Sequence, residues 1–176
     1  YKTEEMALLC LQRKPLFIIS IPQTLKTRLM AIKASNLVFC HLKNKTPLEI
    51  KTAPALHGES IKFVPNQKHE HCLIALQQTA DAIYHIKLPN KNIEEYYWIA
   101  ITKDPQTIGR FPNPSYELIM YALQQGVSLW SITYKKIHEE TFVLEALKKN
   151  PCLTLSMNSQ IHFTEKIEQT IIETYP

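Results

Sequence analysis

A phrase that returns about every 22 residues constrains this chain more than any other feature. A small residue anchors each occurrence: Cys10, Ala31, Ala53, Ala75, Ala100, Ala122 and Ala146, at spacings of 21, 22, 22, 25, 22 and 24. One position after the anchor stand Leu11, Ile32, Pro54, Leu76, Ile101, Leu123 and Leu147. Two positions before it stand Leu8, Leu29, Lys51, Leu73, Trp98, Met120 and Leu144. These positions are three apart and share one helical face. A second pair, also three apart, follows at eight and eleven after the anchor. It reads Ile18, Phe39, Ile61, Ile83, Ile108, Trp130 and Thr154, then Ile21, Leu42, Val64, Ile86, Phe111, Thr133 and Met157. Prolines keep the register. Pro15, Pro105 and Pro151 fall five after the anchor, where proline suits a first helical turn. Pro22, Pro65 and Pro112 fall twelve after it, where proline ends a helix.

Each repeat therefore predicts a helix A of about ten residues, a short turn and a shorter helix B. Neither is long enough to hold alone, so each buries its apolar face against its neighbours. The expected fold is all-α, a single-domain α-solenoid over residues 1–176 with seven to eight stacked two-helix repeats. The small anchor lets helix A come close to an adjacent helix. The repeat over residues 44–66 fits least well. Pro54 directly follows its anchor and Gly58 is near, which predicts a shortened or bent helix A. A longer turn is expected around Lys91–Ile93, and a capping helix with a more polar outer face over about 160–174.

Composition narrows the function classes. The chain has 3 glycines and 11 prolines in 176 residues, where average usage gives about a dozen glycines. So few positions free to take φ > 0 argue against a glycine-loop nucleotide fold and a hairpin-rich β domain. Gly109 and Gly126 follow the repeat register, and Gly58 lies in the irregular repeat. No apolar run is long enough for a membrane span, and no signal peptide is read. Cys10, Cys40, Cys72 and Cys152 form no C-x-x-C pair and sit beside apolar residues. They read as reduced, buried thiols in an intracellular setting.

The segments Ala75-Leu-Gln-Gln-Thr-Ala-Asp-Ala-Ile-Tyr-His-Ile86 and Asn113-Pro-Ser-Tyr-Glu-Leu-Ile-Met-Tyr-Ala-Leu-Gln-Gln125 carry a resemblance. They resemble a short two-helix repeat family, of NPSEE…AVKQNP.AI..I type, found in uncharacterised large-phage, giant-virus and secreted bacterial effector proteins. The resemblance is clearest over 70–157 and poor over 44–65. It implies a helical scaffold, a host- or partner-binding module, and no catalytic residue.

The residues that could carry chemistry are few. Glu4-Glu5, Glu94-Glu95 and Glu139-Glu140 are paired carboxylates, but Glu5, Glu70, Glu95 and Glu117 all lie five before an anchor. That is the first turn of helix A, where negative charge meets the positive helix end, so capping explains them better than acid–base catalysis. His69-Glu-His-Cys72, with His57 upstream, resembles a metal cluster. Cys72, however, falls three before its anchor, a position shared with Ala7, Ile50, Tyr97, Ile119 and Val143, and reads as core. A Cys–His nucleophile has no local signature, and no phosphate loop, H-E-x-x-H or G-x-S-x-G occurs. No enzyme, cofactor or metal is expected.

Binding residues are clearer candidates. Trp98 and Trp130 fall at repeat positions and read as core, whereas Tyr96 and Tyr116 lie off them near the start of helix A, as exposed aromatic contacts. Arg13, Lys14, Lys33, Lys103, Lys148 and Lys149 lie two to four after an anchor, where they would line one edge. Lys43, Lys45, Lys87, Lys91, Lys135 and Lys136 crowd the other turn. With a net charge of +4, the edge suits an anionic ligand, nucleic acid or a phosphorylated lipid head group. The leading expectation is a scaffold that binds another protein, and the alternative is a basic-edge binder of anionic ligands.

Overall fold

The computed structural model describes residues 2–87, 92–132, 139–156 and 164–174. Every regular element among them is helical, and no strand occurs there. Contacts divide the chain into two compact units, Tyr1–Tyr96 and Tyr97–Pro176, where the sequence reads a single domain. The first unit holds α1 (Lys2–Arg13), α2 (Leu25–Ala34), α3 (Asn36–His41), α4 (Pro47–Leu56) and α5 (His69–Gln78). The boundary falls inside α6 (Ile93–Lys103). The second unit continues with α7 (Tyr116–Gln124), α8 (Glu140–Lys149) and α9 (Glu165–Thr174). Residues 88–91, 133–138 and 157–163 lie outside the description, and with them Lys91, Lys135, Lys136, Thr133, Met157 and Phe163. So do the side chains of Trp130 and Thr154.

Helix A of each repeat is an α-helix, as its spacing predicts. Helix B is a 3-10 helix over Pro15–Ser20, Gly58–Phe63, Ala80–His85, Pro105–Arg110 and Pro151–Ser156, and the short α3 in the second repeat. Each of these segments begins five residues after its anchor. A 3-10 helix has three residues per turn, so positions five, eight and eleven after the anchor lie in one row. The three-residue period of the sequence is the 3-10 period itself.

One junction builds each turn between A and B. The residue four after the anchor donates its backbone N–H to the anchor carbonyl, as in Lys14 to Cys10 at 2.8 Å and Thr79 to Ala75 at 3.0 Å. The same residue caps the next helix. The side chains of Ser35, Thr79, Asp104 and Asn150 accept from the backbone N–H groups of Leu37, Asp81, Gln106 and Cys152. One short polar side chain thus ends one helix and starts another. The sixth repeat departs because Gly126 occupies this position with φ +84, and its 3-10 helix shrinks to Leu129–Ser131.

Within the first unit, α1 packs on α2, α2 on α4 and α4 on α5, while the B helices pack on one another in a second row. In the second unit α7 packs on α8 and α8 on α9. Six anchors, Ala31 through Ala146, are fully buried, as are the residues that follow them. Ile18, Phe39, Ile61, Ile83 and Ile108 fill the interior from helix B. The close approach that the small residues allow is visible at Gly58, where an added Cβ would meet the Ala75 carbonyl oxygen at 2.6 Å.

Three expectations are corrected. Helix α4 is not shortened: it runs ten residues, the length of α2 and α5, with Pro54 buried inside it as apolar filler. The position two before the anchor is mostly half-buried, Trp98 included, because helix A turns its positions four before, at and one after the anchor inward. Only Cys72 among the four free thiols is buried; Cys10 and Cys152 are exposed and Cys40 is half-buried.

Candidate interaction surface

The contacts between successive A helices define which face looks which way. Arg28 of α2 reaches Glu49 of α4 with Nε to Oε1 at 2.5 Å and Nη2 to Oε2 at 2.8 Å. Glu49 is fully buried and also accepts the Thr46 backbone N–H at 2.8 Å, closing a capping box at the start of α4. Burial pushes the Glu49 carboxyl up. The Arg28 hydrogen bonds, the Thr46 backbone N–H and the Arg28 charge outweigh it and hold the carboxyl below the ordinary 4.5.

Tyr96 sits at the same position of its own repeat, four before the anchor. It is 1% exposed and therefore no surface contact, contrary to the sequence expectation. Its hydroxyl lies 2.7 Å from Nδ1 of His69, and the two rings stack at 5.5 Å. Burial pushes the Cys72 thiol up to about 11, partly offset by its hydrogen bond to Tyr96, so this sulfur is no nucleophile at neutral pH. The apparent metal cluster is dispersed. His71 turns back to the Lys68 backbone and His57 Nε2 lies 3.0 Å from the Ile32 carbonyl oxygen. Among the described residues no group of three or more His, Cys, Asp or Glu is placed to hold a metal ion.

In the second unit Tyr116 is exposed, yet its hydroxyl donates to Glu145 of α8 and its ring meets Phe142 edge-on at 6.0 Å. Phe142 stands four before its anchor. Glu49, Tyr96 and Phe142 therefore assign one direction: the position four before the anchor faces the preceding repeat.

The first repeat leaves that face open. Four before its anchor stands Met6, 64% exposed; the anchor is the exposed Cys10; Leu9 between them is 62% exposed. Helix B shows the same contrast seven after the anchor. Phe17 is 42% exposed, while Val38, Ser60, Ala82, Thr107, Leu129 and Leu153 are buried at that position. A shallow depression of about 330 Å³ lies on this face, lined by Leu9, Cys10, Gln12 and Arg13. Sequence reasoning missed this surface, although Met6 and Phe17 are large apolar residues at positions that later hold Thr27, Glu49 or Ser60, Ala82.

Arg13, Lys14, Lys33, Lys103, Lys148 and Lys149 are all exposed. They do not run on evenly. The corresponding turns of the third, fourth and sixth repeats carry Ala55-Leu56-His57, Gln77-Gln78-Thr79 and Gln124-Gln125-Gly126. The carboxylates five before the anchors lie in first helical turns, and Glu70 is paired with Lys51 at 3.0 Å. No helix of the described residues is long and apolar enough to cross a membrane. Compared with known protein families, curated proteins and solved structures, the chain matches none.

Proposed function

We propose that the chain is an α-solenoid of stacked two-helix repeats that serves as a protein-interaction scaffold, docking another protein through the exposed apolar side chains of α1 and of the 3-10 helix that follows it. The observation that carries the reading is the burial contrast at equivalent positions. Met6, Cys10 and Phe17 are exposed, while their counterparts in the second and third repeats, Thr27, Ala31 and Val38, then Glu49, Ala53 and Ser60, are buried. The exposed positions carry methionine, leucine and phenylalanine, the composition of a contact surface.

The test is a photo-crosslinking amino acid placed at Leu9 and, as a control, at the exposed Gln77. In cells that make the protein, Leu9 is expected to capture a specific protein and Gln77 none. Capture from both positions alike, or from neither, would overturn the reading. Binding to RNA or to anionic vesicles that falls steeply with salt and is lost in Lys148→Glu/Lys149→Glu would favour the basic edge instead.

A further inference from the structure

A second surface lies on the edge where helices A turn into helices B, in the second to fourth repeats. We infer that this edge binds an extended basic segment of a partner protein, with one arginine of that segment entering a depression beside Glu59. Position six after the anchor stays exposed or half-buried in every repeat, from Leu16 to Cys152, so no neighbouring repeat covers this edge. Leu37, Glu59 and Asp81 hold that position in three successive repeats, whose B helices pack side by side. A depression of about 190 Å³ opens at Glu59, lined by Asn36, His57, Gly58, Glu59, Gln78 and Thr79.

The chemistry of the depression suits a donor-rich cation. His57 Nε2 lies 3.0 Å from the Ile32 carbonyl oxygen. A carbonyl only accepts, so Nε2 carries the proton and Nδ1 is left as an acceptor. The Gln78 side-chain oxygen accepts the Gly58 N–H at 3.2 Å and holds one wall in place. Glu59 meets Lys62 at 3.9 Å, an exposed pair worth little. The turns of the third and fourth repeats, Ala55-Leu56-His57 and Gln77-Gln78-Thr79, carry no lysine or arginine, whereas Arg13, Lys14, Lys33 and Lys103 stand in the same turn elsewhere. With Glu59 and Asp81 beside those two turns, the edge is locally anionic in a chain of net charge +4. A guanidinium presents its N–H donors in a planar fork, enough to engage the carboxylate with two and Nδ1 with a third.

Spacing gives the shape of the segment. Neighbouring helices lie about 8–10 Å apart. A polyproline II strand rises about 3.1 Å per residue with three residues per turn, so every third side chain points the same way at intervals of about 9 Å. Leu37, Glu59 and Asp81 therefore meet the first, fourth and seventh residues of such a segment: an apolar residue, then two cations. Leu56, exposed beside His57 in the sequence, adds apolar surface for the residues between them. The inference does not rest on the α1 surface, and Gln77 is not among the residues that line the depression.

An NMR titration of the isotope-labelled chain with the blocked peptide Ac-Leu-Pro-Pro-Arg-Pro-Pro-Arg-NH2 tests this. The largest shifts are expected at Gly58, Glu59 and the side-chain amide of Gln78. Citrulline in place of the first arginine should weaken binding about tenfold, as should Glu59→Gln, because each removes a charge-assisted pair. Asp81→Asn and Leu37→Ser should each weaken it about threefold. No shift at these residues, binding that Glu59→Gln or citrulline leaves unchanged, or equal binding by a peptide with glutamate at both arginine places would each overturn the site. Shifts that gather at Leu9 and Phe17 instead would overturn it and leave the reading of the α1 surface standing.

Discussion

The first repeat and the second are built alike and end in opposite surroundings. Both have an α-helix, a turn closed by an N–H on the anchor carbonyl, and a six-residue helix B. Yet Cys10 is exposed where Ala31 is fully buried, and Phe17 is exposed where Val38 is buried. The difference is the neighbour. In the second repeat these positions are covered by α1 and its helix B; in the first, nothing described lies against them. Burial at these equivalent positions is thus set by the neighbouring helix as much as by the residue itself.

The largest effect that could break this comparison is at the α2–α4 junction. Arg28→Ala leaves a buried carboxylate without its cation and should cost about 3–5 kcal/mol in urea unfolding. The junction also has a pH signature. Because the folded Glu49 carboxyl lies below 4.5, its contribution is present above that pH and is lost as pH falls through the lower folded value. Stability measured against pH should drop more steeply on the acid side in the natural protein than in Glu49→Gln.

A matched pair sharpens the contrast between repeats. Ala31→Leu should overpack the α1–α2 contact and cost about 1–3 kcal/mol, as should Ala100→Leu at the same register. Cys10→Leu at the open anchor should stay within about 0.5 kcal/mol of the natural protein. Equal costs at both positions would mean that the two anchors share one environment. The smallest effect is at the α5–α6 junction, where Tyr96→Phe removes the hydroxyl beside His69 and Cys72. A loss of about 0.5–1.5 kcal/mol is expected from thermal unfolding.

Much of the fold was legible because a few positions are repeated almost without exception. The anchor, the residue after it and the isoleucine-rich position of helix B mark the interior directly, and the prolines mark where helix B begins. What escaped was the inward position four before the anchor. It holds Thr27, Glu49, His71 and Tyr96 among others, and polar or mixed residue types hide a buried row from any hydrophobic count. The leucine-rich position two before the anchor drew attention instead, although it lies at the margin of the buried face. Tyr96 was misread for that reason. The exposed apolar surface was hidden for the reverse reason: Met6, Leu9 and Phe17 look like core residues, yet among the described residues each is exposed. The staple between Arg28 and Glu49 had one trace, the Thr46-x-x-Glu49 capping pattern, with its cation 21 residues upstream at nearly the repeat spacing.

Thiol labelling in dilute solution tests the stacking of repeats most directly. Cys10 would be compared with Ala31→Cys, Ala53→Cys and Ala75→Cys, each in a background whose other cysteines are serine. Cys10 is expected to react about as fast as an unfolded thiol, and the other three only through opening of the structure, orders of magnitude more slowly. Similar rates at all four anchors would contradict the stacking, and with it the proposed scaffold.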